Sequence, residues 1–359
     1  MENLNNLKKF WNKKRVFITG HTGFKGTWLC VILNYLNSKI IGYSLSPKKN
    51  SLFNKTDIEK KIFSNFYSNV SNINELRKRI RLSNPEIIFH LAAQPLVIES
   101  YKNPLETFKT NFLGTLNLLE CIRDIKSVKS VVIITTDKVY KIGKKNKIFK
   151  EIDELGGYDP YSASKVSAEV VVNSYVKSFF KNSNLKGRIS TVRSGNVIGG
   201  GDFTKNRLVP DIINSINKNK ILKIRNPNYI RPWQHVLDPL VGYLTLAQKQ
   251  YENKIITSEY AWNFGPNTSN FKKVIDIVRY FQKNYKFKFK FQLLNKQNFR
   301  ETKVLKLNSS KAKNKLKWKS RWNLIDAIEN TIDWNNRVKN GISAKKICEQ
   351  QFLRYINKR

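Results

Sequence analysis

The chain is poor in cysteine and methionine. Its 359 residues include 3 Cys and 1 Met. Cys30, Cys121 and Cys348 lie far apart and form no CxxC pair, so the sequence indicates neither a disulfide framework nor a thiolate metal site. We expect free thiols in a reducing compartment and no bound metal.

Long apolar runs are also absent. No stretch approaches the roughly 20 apolar residues that cross a bilayer. The polar start, MENLNNLKKFWNKK, differs from an ordinary secretion signal. Together these absences predict a cytoplasmic protein that does not associate with membranes.

Acidic residues are scarce as well. The chain has 26 Asp and Glu against 66 Lys and Arg, which gives a formal net charge of +40. Such an excess can indicate nucleic-acid binding. However, the lysines are spread along the chain, and no zinc finger, RNP motif or heptad array accompanies them. We therefore predict no nucleic-acid partner, although a positive field favours capture of an anionic substrate such as a nucleotide diphosphate.

The N-terminal half alternates short apolar runs with helical stretches, a pattern typical of a doubly wound parallel α/β sheet. The predicted strands cover residues 15–19, 40–45, 86–91, 131–135 and 188–193. The predicted helices lie near residues 26–37, 73–82, 105–124 and 161–180. We expect residues 1–193, with 233–265 returning to them, to form a Rossmann-type dinucleotide-binding domain. Residues 194–232 and 266–359 would then form a smaller substrate domain.

The segment TGHTGFKG follows the first strand and opens a helix. Its glycines, Gly20, Gly23 and Gly26, permit a tight turn and let the backbone approach a pyrophosphate at the helix start. The second strand ends without the acidic residue that usually binds a ribose 2′-hydroxyl, and Lys48 and Lys49 follow it. These residues therefore leave the choice between NAD and NADP open.

Two further motifs carry acid–base chemistry. Tyr161 and Lys165 stand four residues apart at a helix start, and a lysine beside a tyrosine favours the phenolate. The fourth strand runs into Thr136, Asp137 and Lys138. An acid and a base beyond the hydroxyl of Thr136 exceed what alcohol oxidation needs, and they suit an elimination. Because adjacent opposite charges favour an ion pair, the sequence does not decide which protonation state of the pair reacts.

These motifs resemble the nucleotide-sugar 4,6-dehydratases of the extended short-chain dehydrogenase/reductase family, over about residues 10–330. Further segments carry the resemblance: HLAAQPLV, TNFLGT, RSGNVIGGGD, RNPNYIRPWQHVL and WNFGP. GNVIGGGD and RPWQHV are most similar to the branch that acts on CDP-glucose. The resemblance implies NAD as cofactor, a 4-keto-6-deoxy sugar as product, a homodimer or higher homo-oligomer, and a place in deoxysugar and surface-polysaccharide (O-antigen) synthesis.

The resemblance also implies residue roles. Thr136 and Tyr161 would bond the sugar 4-hydroxyl, Asp137 would act as the acid at C6, and Lys138 as the base at C5. The implied cofactor residues are Gly20, Thr22, Gly23, Phe24, Gly26, Ala92, Ala93, Gln94, Asn111, Tyr161 and Lys165. The implied substrate residues are Asn196, Arg207, Arg231 and Asn263.

The chain departs from the family pattern at one point, since Asn69-Val70 stands where many relatives carry Asp-Ile near the adenine. Other functions also remain open. Within enzymes these are an inverting UDP-N-acetylglucosamine 4,6-dehydratase and another nucleotide-sugar epimerase or dehydratase. Outside enzymes, the same fold could serve a cofactor-sensing or RNA-binding protein.

Overall fold

A computed structural model describes residues 4–143, 147–255, 259–284, 289–294 and 301–358. The strands are, in chain order, β1 (Arg15–Thr19), β2 (Lys39–Ser44), β3 (Ser64–Tyr67), β4 (Ile87–His90), β5 (Ser130–Ile134), β6 (Ile189–Ser194), β7 (Asn196–Ile198), β8 (Leu222–Ile224), β9 (Ile230–His235), β10 (Ala261–Phe264), β11 (Phe271–Lys273) and β12 (Phe291–Leu293). The helices are α1 (Leu4–Trp11), α2 (Phe24–Tyr35), α3 (Leu52–Thr56), α4 (Ile73–Ser83), α5 (Val97–Lys102), α6 (Pro104–Phe108), α7 (Gly114–Ile122), α8 (Pro160–Ser178), α9 (Leu208–Asn217), α10 (Leu237–Tyr251), α11 (Val274–Asn284), α12 (Leu324–Lys339) and α13 (Ala344–Asn357).

The largest sheet has seven strands in the order β10-β6-β5-β4-β1-β2-β3. All its neighbouring strands pair in parallel. The chain builds outward from β1 to β3 and then returns to β4 on the other side of β1. Ligands of such sheets bind at the carboxyl ends of the strands, beside this reversal.

Successive side chains of a strand point to opposite faces of the sheet. Alternate strand residues therefore pack into two separate hydrophobic cores. On one face, Val16 and Ile18 pack with helices α1, α2, α10 and α13. On the other face, Phe17 and Val131 pack with helices α4, α7 and α8. Both faces are therefore covered, and the expected doubly wound α/β fold is confirmed.

A second region is formed mainly by elements that follow β6 in the sequence. It contains a three-stranded sheet, β11-β9-β7, and a two-stranded sheet, β12-β8. Helices α9, α11 and α12 contribute to its core, which includes Ile212, Ile277 and Ile328. Two late elements nevertheless join the large sheet, since β10 pairs with β6 and α13 packs on α2. The boundaries that the sequence suggests for two domains stay a prediction.

Several elements differ from the sequence-based expectation. The helix expected at 105–124 is interrupted by a π-helical turn at Lys109–Leu113. Strand β3 was not anticipated, because its four residues are only partly buried and do not form an apolar run. None of the described helices combines the length and hydrophobicity that a membrane crossing requires.

Candidate active site

The turn between β1 and α2 is built for close approach of a ligand backbone. Gly20 has a φ of +73°, and a Cβ there would lie 2.6 Å from the backbone nitrogen of Ala92. A Cβ at Gly26 would lie 2.2 Å from the carbonyl oxygen of Gly20. Gly23 caps α2 without any side-chain hydrogen bond, so the first amide groups of the helix stay available to an anion. The turn fits the pyrophosphate of a dinucleotide.

Neighbouring loops frame this turn. Thr22 Oγ1 lies 2.8 Å from Ser44 Oγ and donates to the carbonyl of Leu45. Phe24 extends toward Gly199, where an added Cβ would lie 3.2 Å from its ring. These contacts hold the turn against the end of β2 and against the loop after β7.

The loop after β4 carries Ala92, Ala93 and Gln94. Ala92 N donates to Thr19 Oγ1 at 3.2 Å. Gln94 N donates to Asn111 Oδ1 at 2.8 Å, and Asn111 Nδ2 donates to Ser164 Oγ at 2.9 Å. Asn111 thus ties this loop to α8, the helix that carries Tyr161 and Lys165.

A cavity of about 300 Å³ opens at the carboxyl ends of β5 and β6. It brings together seven of the residues that the sequence singled out, and these are Thr136, Asp137, Lys138, Tyr161, Asn196, Arg207 and Arg231. Two others, Lys165 and Asn263, do not line it. The acid–base candidates and the cations expected to bind a diphosphate therefore share one cavity.

Tyr161 and Lys165 lie at the start of α8, whose N-terminus is capped by Asp159. Lys165 Nζ donates to the carbonyl oxygen of Ile134 at 3.0 Å. Burial lowers the pKa of Lys165 to about 8, although the charge of Glu169 opposes the shift. Burial also raises the pKa of Tyr161 to about 12, against the hydrogen bond of Thr136. Desolvation of the phenol thus outweighs the hydrogen bond of Thr136 and the charge of Arg207, which favour the phenolate.

Asp137 is almost fully buried at the end of β5. Burial raises the pKa of its carboxyl group, even though the cations of Lys138 and Arg231 act in the opposite direction. Its Oδ1 accepts a hydrogen bond from Thr136, and its Oδ2 has no partner among the described residues. A buried carboxyl group with one oxygen that lacks a hydrogen-bond partner is suited to carry a proton and donate it to a ligand.

The charge partner of Lys138 is Glu301, a residue that the sequence did not single out. Lys138 Nζ lies 2.9 Å from Glu301 Oε1, and Arg231 Nη2 lies 3.2 Å from the same oxygen. Although burial disfavours the carboxylate, the neighbouring Lys138 and Arg231 cations lower the pKa of Glu301 to about 2. One carboxylate therefore links the candidate base to the candidate diphosphate-binding arginine.

The two substrate arginines differ in how they are held. Arg207 pairs with Asp202 at 3.0 Å and stays partly exposed. Arg231 is 4% exposed in its side chain, and its Nη1 donates to the carbonyl oxygens of Ile230 and Lys303. Arg231 is thus fixed in place before any ligand arrives.

Asn263, an expected nucleotide contact, is not brought to the cavity. It is fully buried on β10, and its Nδ2 donates to the carbonyl oxygens of Phe149 and Asn308. Its Oδ1 accepts a 2.6 Å hydrogen bond from Tyr140. Both polar groups of its side chain form hydrogen bonds within the fold, and Asn263 does not line the cavity.

Lys25 is a second residue in the cavity that sequence reasoning missed. It stands inside the TGHTGFKG turn and lines the cavity with Asp137 and Tyr161. A signal was present in the sequence, since a lysine in the first turn of a helix opposes the helix dipole. Glu301 offered no such signal. Within the described residues, no group of three or more His, Cys, Asp or Glu side chains could hold a metal ion.

The chain belongs to the family whose model is described as GDP-mannose 4,6 dehydratase, which matches residues 17–331. The fold and the cavity agree with that class of short-chain dehydrogenase/reductase. Among curated proteins, CDP-glucose 4,6-dehydratase of Salmonella typhimurium is 42% identical over 332 residues, covering 91% of this chain and 92% of that protein. The UDP-glucose 4-epimerase of Mycoplasma genitalium is 28% identical over 88% of this chain and 94% of its own.

Solved structures share the fold. The dTDP-glucose 4,6-dehydratase of Bacillus anthracis in complex with NAD has a TM-score of 0.76 at 21% identity, covering 90% of this chain and 97% of that one. The UDP-glucose 4-epimerase of Thermotoga maritima with UDP-glucose has a TM-score of 0.75 at 20% identity, covering 90% and 99%. These likenesses confirm the extended short-chain dehydrogenase/reductase fold.

Proposed function

We propose that this protein dehydrates CDP-glucose to CDP-4-keto-6-deoxyglucose with bound NAD. The observation that carries the proposal is the cavity shared by Thr136, Asp137, Lys138, Tyr161 and Arg231. The 42% identity to a CDP-glucose 4,6-dehydratase supports the choice of nucleotide sugar. NAD is supported by the glycine turn and by the NAD complex of a dehydratase of the same fold.

The turn residues Gly20, Gly23 and Gly26 would hold the NAD pyrophosphate, and Tyr161 and Lys165 would lie near its reactive end. When bound, NAD would take hydride from C4 of the sugar and return it to C6, so that no net oxidation occurs. Burial raises the pKa of Tyr161 to about 12, and the positive charge of the oxidised cofactor would favour the phenolate.

Tyr161 would accept the proton of the sugar 4-hydroxyl while Thr136 orients that hydroxyl. The resulting 4-ketone acidifies the proton on C5, which Lys138 would remove. Asp137 would donate its proton to the departing C6 hydroxyl, and water leaves. Lys138 would give its proton back to C5 as C6 is reduced, which completes the 4-keto-6-deoxy sugar. The raised pKa and the open Oδ2 of Asp137 support its role as the acid.

Arg231 would neutralise the substrate diphosphate, with Arg207 and Asn196 lining the same cavity. Arginine suits this task because its planar guanidinium meets two phosphate oxygens at once. The enzyme would work in the cytoplasm as a homodimer or higher homo-oligomer and supply deoxysugar for surface polysaccharide. The absence of a membrane-crossing helix among the described residues is consistent with that location.

Product analysis tests the proposal directly. Purified protein would be incubated separately with CDP-glucose, UDP-glucose, dTDP-glucose, GDP-mannose and UDP-N-acetylglucosamine, and NMR would detect a 4-keto-6-deoxy sugar. We expect CDP-glucose to be consumed fastest at equal concentration, and Tyr161→Phe to abolish turnover. Faster dehydration of another nucleotide sugar would assign the enzyme to a different branch, and no product from any of them would refute the dehydratase function.

A further inference from the structure

The cations of the cavity differ in how their charges are compensated. Arg207 pairs with Asp202, and Arg231 and Lys138 share Glu301. Lys25 lines the same cavity, yet no carboxylate of the described residues forms an ion pair with it. Its hydrogen bond to Ser194 is long, at 3.4 Å from Nζ to Oγ.

That hydrogen bond does not compensate the charge of Lys25. Ser194 is neutral, and its hydroxyl also accepts a 3.1 Å hydrogen bond from Tyr243. Asp137 lines the same cavity, and burial raises the pKa of its carboxyl group. Burial and the nearby cations of Arg207 and Lys165 lower the pKa of Lys25 to about 7, with Asp137 opposing them. The charged form of Lys25 is thus destabilised at this position.

Its position on the helix adds to the cost. Lys25 lies in the first turn of α2, where the helix dipole favours negative and disfavours positive charge. The same helix start carries the free amide groups and the glycine turn that fit a pyrophosphate. Side chains that destabilise the free protein persist where a ligand needs them. A bound anion would offset both the partial burial of Lys25 and its unfavourable place on α2.

We infer that Lys25 is a further diphosphate-binding residue, located between the glycine turn and the cavity that contains Arg207 and Arg231. The inference rests on the proposed function only for the identity of the diphosphates, which are those of the dinucleotide cofactor and of the nucleotide sugar. Lys25 belongs to the glycine turn and also lines the cavity. The experiment must therefore distinguish the diphosphate of the cofactor from that of the nucleotide sugar.

The experiment compares wild type, Lys25→Met, Lys25→Arg and a control, Lys9→Met. Lys9 is an exposed lysine on α1, which carries none of the expected site residues. Calorimetry measures the affinity of each protein for CDP, and fluorescence titration measures its affinity for NADH. Lys25→Met should weaken one of the two by about 10- to 100-fold, as expected for a lost charge-assisted hydrogen bond. Lys25→Arg should restore much of the loss, and Lys9→Met should bind as wild type does.

Weaker NADH binding would assign Lys25 to the cofactor, and weaker CDP binding would assign it to the substrate. The melting temperature of the ligand-free protein separates a binding role from a structural one. Without ligand, Lys25→Met should melt at the wild-type temperature or above, because it removes an uncompensated cation. Unchanged affinity for both probes would overturn the inference, whether turnover survives or not. The affinities for CDP and NADH can be measured even if no nucleotide sugar is dehydrated. A failure of this inference is therefore distinguishable from a failure of the proposed function.

Discussion

Lys138 Nζ lies 2.9 Å from Glu301 Oε1 and forms no ion pair with Asp137, its neighbour in the chain. The acid and the base expected for the elimination are therefore not paired with each other. Asp137 faces the cavity with a raised pKa, and Lys138 turns to a carboxylate 163 residues away in sequence. The conflict expected from two adjacent opposite charges is resolved by this third residue. In the proposed mechanism, Lys138 would have to leave Glu301 before it could accept the C5 proton.

Asp137→Asn should stop the reaction after oxidation at C4. The amide keeps the shape of the carboxyl group and its hydrogen bonds but has no proton to donate to the departing hydroxyl. Loss of a general acid should slow elimination by roughly 10²- to 10⁴-fold. Stopped-flow absorbance should show reduced cofactor accumulating on the enzyme after CDP-glucose is added. Tyr161→Phe, as the control, should block even that signal. Wild-type turnover by Asp137→Asn would remove Asp137 from the role of acid.

Arg231→Met should raise KM for CDP-glucose by about 10- to 100-fold, because a charged hydrogen bond to phosphate is worth about 1.5–3 kcal/mol. NADH affinity should stay unchanged, since the glycine turn lies elsewhere. Arg231 also pairs with Glu301, so the same change is repeated in a Glu301→Gln background to remove that contribution. An unchanged KM in both backgrounds would place the diphosphate at another cation.

Glu301→Gln should make stability less sensitive to acid. The Lys138 and Arg231 cations lower the folded-state pKa of Glu301 to about 2, whereas an unfolded Glu titrates near about 4.3. Its contribution is therefore complete above about pH 5 and is lost as the pH falls toward 2. We expect ~1–2 kcal/mol after allowing for partial exposure. Urea unfolding at pH 6 and pH 3 measures the difference.

A matched control for this prediction is Glu154→Gln, which removes the exposed ion pair of Glu154 with Lys141. Because both partners of that pair are largely in solvent, the change should leave the unfolding free energy unchanged at either pH. Equal pH dependence in wild type and Glu301→Gln would show that Glu301 is not held charged by its two neighbours.

Asn263→Ala should lower stability without affecting the substrate. It leaves the carbonyl oxygens of Phe149 and Asn308 and the hydroxyl of Tyr140 with fewer partners in a buried place. The expected loss is about 1–3 kcal/mol by denaturant unfolding, with KM for CDP-glucose within twofold of wild type. Asn196→Ala, at the cavity wall, should behave in the opposite way. A large rise in KM for Asn263→Ala would return Asn263 to the substrate site.

The large sheet could be predicted from the sequence because its central strands are buried on both faces. Strands β1, β4 and β5 contain nearly continuous apolar residues, which is the pattern that marks them. Strand β3 has the sequence SNFY and lies at the sheet edge with partial exposure, so it lacks that pattern. The hydrophobic pattern thus predicts the centre of the sheet better than its edge.

The candidate site could be predicted only where its residues fall into local motifs. Thr136, Asp137 and Lys138 follow a strand, and Tyr161 and Lys165 share one helix start, so their proximity follows from the fold class. Glu301 belongs to a segment after β12 with no local signature, and only tertiary packing brings it to Lys138. Asn263 is the opposite case. It belongs to a sequence motif, but its side chain forms hydrogen bonds in the interior of the fold.

The packing of α13 on α2 has a consequence for the order in which the chain can fold during synthesis. Helix α2 follows the glycine turn and emerges among the first residues, whereas α13, with Ile347 and Phe352 in the same core, emerges after residue 343. The part of α2 that α13 covers therefore stays exposed until α13 has been synthesised. Nascent chains must keep that part of the helix from aggregating in the meantime.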